Sequence, residues 1–139
     1  MNKIISLISI LFIVFSGCNE LTGSKIIRLG HGLNTSHSVH KGMVHFGEQL
    51  EELSKGRFKV QIYPSQQLGT ERQCVELLQI GSLDMTKVSA GVLENFAPSI
   101  RVFGIPYMFR DKAHCFNVLD GPIGKELLSG TEQYWLKGL

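Results

Sequence analysis

The chain has 139 residues, 43% of them apolar and 19% charged, and its 14 Lys and Arg against 12 Asp and Glu give a net charge of +2. That is one domain's worth of chain, too charged for a polytopic membrane protein and too apolar to be disordered. The basic residues form no run, which leaves a nucleic-acid groove without electrostatic support.

Met1-Asn2-Lys3 sets a positive charge ahead of the apolar run Ile4 to Phe15. That run is shorter than the roughly 20 residues that span a bilayer, and it fits the central part of a secretory signal. It ends at Phe15-Ser16-Gly17-Cys18, small residues before a cysteine as in a bacterial lipobox, with Phe15 where such boxes usually carry Leu. The expectation is a signal over residues 1–17, acylation of Cys18 and a tether over residues 18–25. Several acyl chains on one cysteine hold a protein on a membrane where one alone does not. The alternative is an ordinary signal cut nearby, with Cys18 incidental. Cys74 and Cys115 lie in apolar helical patterns and read as free thiols, although an exported protein is permitted a bridge.

Residues 26–139 form the folded part. Ile26 to Gly30 reads as a short buried strand and His31 to His37 as a loop. Val39, Met43, Phe46, Leu50 and Leu53 recur at helical spacing, so a helix runs from Ser38 to Ser54 and stops at Gly56. Phe58, Val60 and Ile62 alternate with polar neighbours in a second strand that Pro64 ends. Thr70 and Gln73 have the spacing of a capping box, which starts a helix at Thr70 with Cys74, Leu77, Leu78 and Ile80 facing inward and Gly81 closing it. Leu83 to Ser89 suits a third strand and Gly91 to Phe96 a short helix. Val102 to Phe109 is apolar and contains Pro106, which predicts extended chain with a break. Residues 112–120 and 122–129 read as helices split by Gly121-Pro122, and Thr131 to Leu136 as a last helical scrap.

Strands alternating with helices over short connections imply a parallel sheet with right-handed crossovers. Ligands of such α/β sheets bind beyond the carboxyl ends of the strands. Here those ends are residues 30–37, 64–71 and 89–91, so the pattern favours a small-molecule cleft. No nucleophile elbow, phosphate loop or zinc-ribbon spacing is present. His31, His37, His40 and His45 spread too widely to ligate one metal, with no carboxylate at a familiar spacing. No cofactor is expected.

The run from Tyr63-Pro64-Ser65-Gln66-Gln67-Leu68-Gly69-Thr70-Glu71-Arg72 to Leu78-Gln79-Ile80-Gly81-Ser82-Leu83-Asp84-Met85 resembles the solute-binding proteins of tripartite ATP-independent periplasmic (TRAP) transporters. Phe96-Ala97-Pro98 and Ile105-Pro106-Tyr107-Met108-Phe109-Arg110-Asp111 continue the likeness in order, as do Leu29-Gly30-His31, His37 and Leu53-Ser54-Lys55-Gly56-Arg57. The resemblance implies a periplasmic-binding-protein-like fold, type II-like, of two α/β domains around a hinged cleft. It also implies a receptor, not an enzyme, that captures a small organic anion in the periplasm and passes it to integral-membrane permease subunits. Members are typically about twice as long as this chain. The signature arginine that pairs with the ligand carboxylate lies beyond Leu139, and Trp135 to Leu139 resembles its lead-in. An incomplete, N-terminal part of the binding protein is therefore expected. Arg101 and Arg110 do not occupy the signature position.

Glu71 matches a family position at the cleft, where it would accept from a ligand hydroxyl or position a water; otherwise it serves the helix dipole. Ser89 and Ala90 fall where members approach their ligand. Gly32 either lets the first loop come close to a ligand or is a plain turn glycine. Arg72 is a helix-face charge or a ligand contact. His31 and His37 shape the first loop or line the cleft, while His40 and His45 read as ordinary helix positions. Phe103, Tyr107 and Phe109 read as core rather than as a stacking platform. Competing readings are a secreted α/β hydrolase or metal-dependent enzyme, and a truncated lipoprotein that serves only as an interaction domain.

Overall fold

The computed structural model describes residues 23–139, so the expected signal over residues 1–17 and the proposed acylation site Cys18 lie outside the described residues. The first strand, β1 (Lys25–Gly30), is central, with β2 (Phe58–Tyr63) and β3 (Met85–Thr86) on either side, all parallel. β1 and β2 pair over their full length, from Lys25 opposite Phe58 to Gly30 opposite Tyr63. β3 pairs only through Leu29 with Met85 and Gly30 with Thr86. The strand expected over residues 83–89 is thus cut to two residues. Leu83 instead turns inward and is 2% exposed, while the Asp84 carboxylate takes the Arg28 backbone N–H at 2.8 Å and its Nε at 2.9 Å.

Helix α1 (Ser38–Leu53) connects β1 to β2. It approaches β2 where it has no side chain: a Cβ on Gly47 would stand 3.1 Å from Val60 Cβ. Met43 and Leu50 are half-buried beside that contact, whereas Leu53, at the end of the expected apolar stripe, is 79% exposed. The chain leaves α1 through left-handed Gly56 (φ +77°), the backbone that a terminating glycine supplies.

Helix α2 (Glu71–Gln79) begins with the capping box read from the sequence. Gln73 Oε1 accepts the Thr70 N–H at 2.9 Å, and Thr70 Oγ1 accepts the Gln73 N–H at 3.4 Å. Gly69 enters this cap at φ +107°, and a Cβ there would fall 2.6 Å from Gln73 Oε1, so only glycine fits. Cys74 and Val75 are each 1% exposed and seat the helix, but Ile80 is 73% exposed. The helix ends at Gln79, so Ile80 caps it and leaves the inward face that the periodicity assigned to it.

The short helix α3 (Ala90–Leu93) leads to a 3-10 helix, Pro98–Gly104, and this corrects the extended reading of residues 102–109. Pro98 stands at its start, with Ala97 (0% exposed) and Ile100 (2%) packed beneath it. Tyr107 is fully exposed at φ +58°, which overturns its reading as core. Helices α4 (Lys112–Leu119) and α5 (Pro122–Ser129) follow the expected limits, and a second 3-10 turn spans Gly130–Tyr134. Gly124 lets α5 cross the end of α4, since a Cβ there would overlap the Leu119 carbonyl oxygen. Thr131 is 1% exposed, its Oγ1 2.7 Å from Leu128 O and 2.8 Å from Leu136 O.

Candidate functional site

The carboxyl ends of all three strands meet. Beyond β1, the His31 N–H donates to Tyr63 O (3.0 Å), and the His31 carbonyl accepts from Gln66 N–H (3.2 Å). The Ser65 N–H donates to Leu33 O (2.8 Å), which laces the first loop to the second. Ser65 and Gln66 both take left-handed backbone, φ +53° and +60°, to make this turn. Beyond β3, Thr86 Oγ1 donates to Gly30 O at 2.7 Å.

Glu71, in the first turn of α2, ties that helix to the chain after β3. Its Oε1 accepts from Lys87 Nζ at 2.9 Å, and its Oε2 accepts the Ser89 N–H at 3.0 Å and the Ser89 hydroxyl at 2.7 Å. Burial alone would raise the Glu71 pKa. The bonds from Lys87 and Ser89 outweigh that and hold the carboxyl below its ordinary value. Gly32 sits beside this group: a Cβ on it would lie 3.6 Å from Gln66 Cγ and 3.8 Å from Glu71 Cγ, ordinary contact that shows no need for glycine.

His31 is 1% exposed. Its Nδ1 accepts the Leu33 N–H at 3.1 Å, and its Nε2 lies 3.0 Å from His40 Nδ1. Burial, then the neighbouring His40, Lys87 and His37, hold the His31 pKa below its usual 6.5. His37 is spent on structure: it is the N-cap of α1, and its Nδ1 accepts from Val39 N–H at 3.1 Å. Arg72 points away from the group, with its Nε 3.1 Å from Glu76 Oε1 and its guanidinium 5.8 Å from the centre of the Phe96 ring. Ser89 caps α3 and Ala90 opens it, both exposed.

The strand ends therefore gather His31, Gly32, Glu71 and Ser89, leave Ala90 alongside, and do not bring in Arg72. Two residues were missed. Lys87 reads in the sequence as a polar interruption of an apolar strand, and His40 as an ordinary helix position. A lysine one residue past a short parallel strand was the available signal for the first. The second had none, since the His31–His40 contact joins a strand end to a helix.

The group is poorly set up for acid–base or nucleophilic chemistry. Ser89 Oγ donates to a carboxylate that already balances Lys87 and is held acidic, which makes Glu71 a poor general base. Burial pushes the Cys74 thiol up, away from the thiolate a nucleophile needs. Cys74 and Cys115 are both free. A cavity of about 660 Å³ lies elsewhere, between Val75, Leu83, Leu128 and Leu136, and meets the group only through Lys87. An apolar cavity of about 340 Å³ separates Val102, Phe103 and Phe109 from α4 and α5.

The chain belongs to a known family: the model of bacterial extracellular solute-binding proteins, family 7, matches residues 29–139. A solute-binding protein of Verminephrobacter eiseniae is 39% identical over 109 residues, 77% of this chain and 32% of the relative. The sugar acid-binding protein DctPAm of Advenella mimigardefordensis, solved with galactonate, superposes with a TM-score of 0.77 at 34% identity, over 80% of this chain and 36% of that one. A TRAP periplasmic solute-binding protein of Anaerococcus prevotii, solved with D-glucuronate, gives 0.76 at 31% identity, over 80% and 36%. The chain spans about a third of the length of the curated relatives it matches. The α/β reading with a parallel sheet and the family resemblance both hold.

Proposed function

We propose that this chain supplies one wall of the ligand cleft of a TRAP-type solute-binding protein for a sugar acid, a uronate or an aldonate, which is handed to integral-membrane permease subunits. The observation that carries this reading is the unspent hydrogen-bonding capacity of the Glu71, Lys87 and Ser89 group. A carboxylate has about four lone-pair directions. Among the described residues, Glu71 uses one on Oε1 and two on Oε2, so Oε1 keeps one for a ligand hydroxyl. Lys87 has one N–H committed to Glu71, which leaves two for an anionic oxygen. Ser89 Oγ donates to Glu71 and still accepts. Acceptors for hydroxyls beside a cation suit a polyhydroxy acid better than a plain dicarboxylate. The relatives solved with galactonate and D-glucuronate support that choice.

His31, Gly32, Ser89 and Ala90 stand as the neighbouring contact candidates. His37 and Arg72 are candidates only through the loop and helix they stabilise. The protein does no bond chemistry in this reading; it works outside the cytoplasm, and acylation of Cys18 holds it to a membrane. Calorimetric titration of the complete binding protein that contains this wall, with D-glucuronate, D-galactonate and succinate, tests the proposal. The six-carbon acids should bind at least about tenfold more tightly than succinate, because a site built for hydroxyls discriminates strongly against analogues that lack them. Preference for succinate, or no heat with any of the three, overturns it.

A further inference from the structure

We propose that His40 is a positioning residue for the candidate site: it holds His31, and through His31 the loop over residues 31–33, in a latch that the first added proton opens. The inference rests on the functional reading only in calling that loop part of a ligand site.

The proton positions follow from the contacts. His31 Nδ1 accepts the Leu33 N–H, so it carries no hydrogen and the ring proton sits on Nε2. His31 Nε2–H then donates to His40 Nδ1, which fixes the His40 proton on its own Nε2. Each ring holds one proton, and both of the acceptor nitrogens are engaged. A further proton has two places to go. On His31 Nδ1 it displaces the Leu33 N–H. On His40 Nδ1 it sets N–H against N–H, unless His31 moves its own proton to Nδ1 and again displaces Leu33. Either route costs a hydrogen bond at a side chain that is 1% exposed.

The groups facing His31 make no provision for a positive charge. His40 comes from α1, His37 from its N-cap and Lys87 from the chain after β3. Cys74 of α2 lies under neighbouring Gly30, and the Glu71 carboxylate is already shared between Lys87 and Ser89. The loop so held contains Gly32, where a Cβ would lie 3.6 Å from Gln66 Cγ and 3.8 Å from Glu71 Cγ, and Leu33, whose carbonyl accepts from Ser65. Opening the latch therefore loosens the edge of the site nearest Glu71.

The sign is fixed by the His31 direction. Its folded value lies below the ordinary 6.5, so the neutral form is favoured by folding. That contribution is present above pH 6.5 and is lost as the pH falls from there toward the folded value.

The test is made on the full chain with two substitutions. Long-range proton–nitrogen correlation spectra assign the His31 tautomer, and amide exchange reports the protection of the Leu33 N–H. The expected result is an Nε2–H tautomer, with Leu33 protection falling about tenfold between about pH 7.5 and about pH 5.5, the worth of one hydrogen bond. His40→Asn sets an amide oxygen near the position of Nδ1, so it should keep the tautomer and most of the protection at neutral pH. His40→Ala should lose both. A His31 proton on Nδ1, or Leu33 protection indifferent to His40→Ala, overturns the latch. D-glucuronate affinity, measured alongside, separates the two claims. If the latch behaves as expected and no sugar acid binds at any pH, the latch stands and the ligand reading falls. If affinity is high but Leu33 ignores His40, the reverse holds.

Discussion

Leu29, Cys74, Val75, Leu83 and Ala97 are buried, Cys74 and Leu83 in a seam against Gly30 of β1, whereas residues 98–139 bury only Ile100, Gly124, Thr131 and Leu136. The first region is organised by strand pairing and a capped helix that drops adjacent side chains into the seam. The second is held by backbone at close range: Gly124 against the Leu119 carbonyl, and Thr131 between the Leu128 and Leu136 carbonyls. Its large apolar side chains Ile105, Phe116, Ile123 and Trp135 are mostly exposed. Two of the residues it buries, Thr131 and Leu136, face Val75 and Leu83 across the larger cavity, and Gln79 Nε2 reaches Tyr134 O at 2.9 Å. The helical region thus meets the sheet region through that bond and the walls of that cavity, and its stability should depend on the contact.

Substitutions can break or sharpen this contrast. Gly124→Ala should have the largest effect, about 3 kcal/mol of lost stability, because the new methyl meets backbone that has nowhere to go. Leu83→Ala should cost nearly as much, about 2–3 kcal/mol, from a buried cavity under the sheet. Urea unfolding followed by both far-ultraviolet and tryptophan signals checks the pair. A single shared transition in both variants supports the dependence described above; a Gly124→Ala protein whose Trp135 signal melts alone would make the helical region independent. Lys87→Met should weaken sugar-acid binding by about tenfold or more while leaving the unfolding free energy within about 1 kcal/mol of the parent, measured by calorimetry and urea titration. Thr70→Ala is the smallest, about 1 kcal/mol, from the loss of one capping bond.

Acid sharpens the comparison further, since Glu71 belongs to the sheet region. Its folded pKa is below the ordinary 4.5, so its contribution to stability is present above pH 4.5 and fades as the pH drops from there through the folded value. Glu71→Gln should flatten the stability curve over that window, as read from urea midpoints at successive pH values. An unchanged slope would assign the acid loss to other carboxylates, Asp84 first among them, which the bond from Arg28 also holds below its ordinary 3.8.

Local signals carried much of the sheet region. Alternation placed β2, Thr70 and Gln73 gave the start of α2, and Gly56 and Gly81 marked helix ends where the backbone turns left-handed. The errors have a common cause. An apolar run says that residues are buried or half-buried, not which backbone they take, so residues 83–89 and 102–109 looked extended. The length of β3 is set by where it can reach β1, and the 3-10 turn after Pro98 by the packing of Ala97 and Ile100. Neither is a property of the local pattern. At the site, Glu71 and Ser89 were legible as strand-end and helix-start residues, and their mutual bond was not. Lys87 and His40 acquire their roles only from partners 16 and 9 residues away.

A strand of two residues has little ladder to keep it in place. β3 is flanked instead by opposite charges, Arg28 with Asp84 before it and Lys87 with Glu71 after it. Register held this way answers to dissolved salt, which shields exposed charges over about 8 Å at physiological strength and over less in brine. The two clamps differ in shelter: the side chains of the first are 42% and 35% exposed, those of the second 33% and 20%. As the surroundings grow saltier the outer clamp slackens first, and the one between Glu71 and Lys87 keeps its grip longest. If the chain serves the extracytoplasmic receptor proposed for it, where the cell does not set the ionic strength, the sheltered pair is on the useful side.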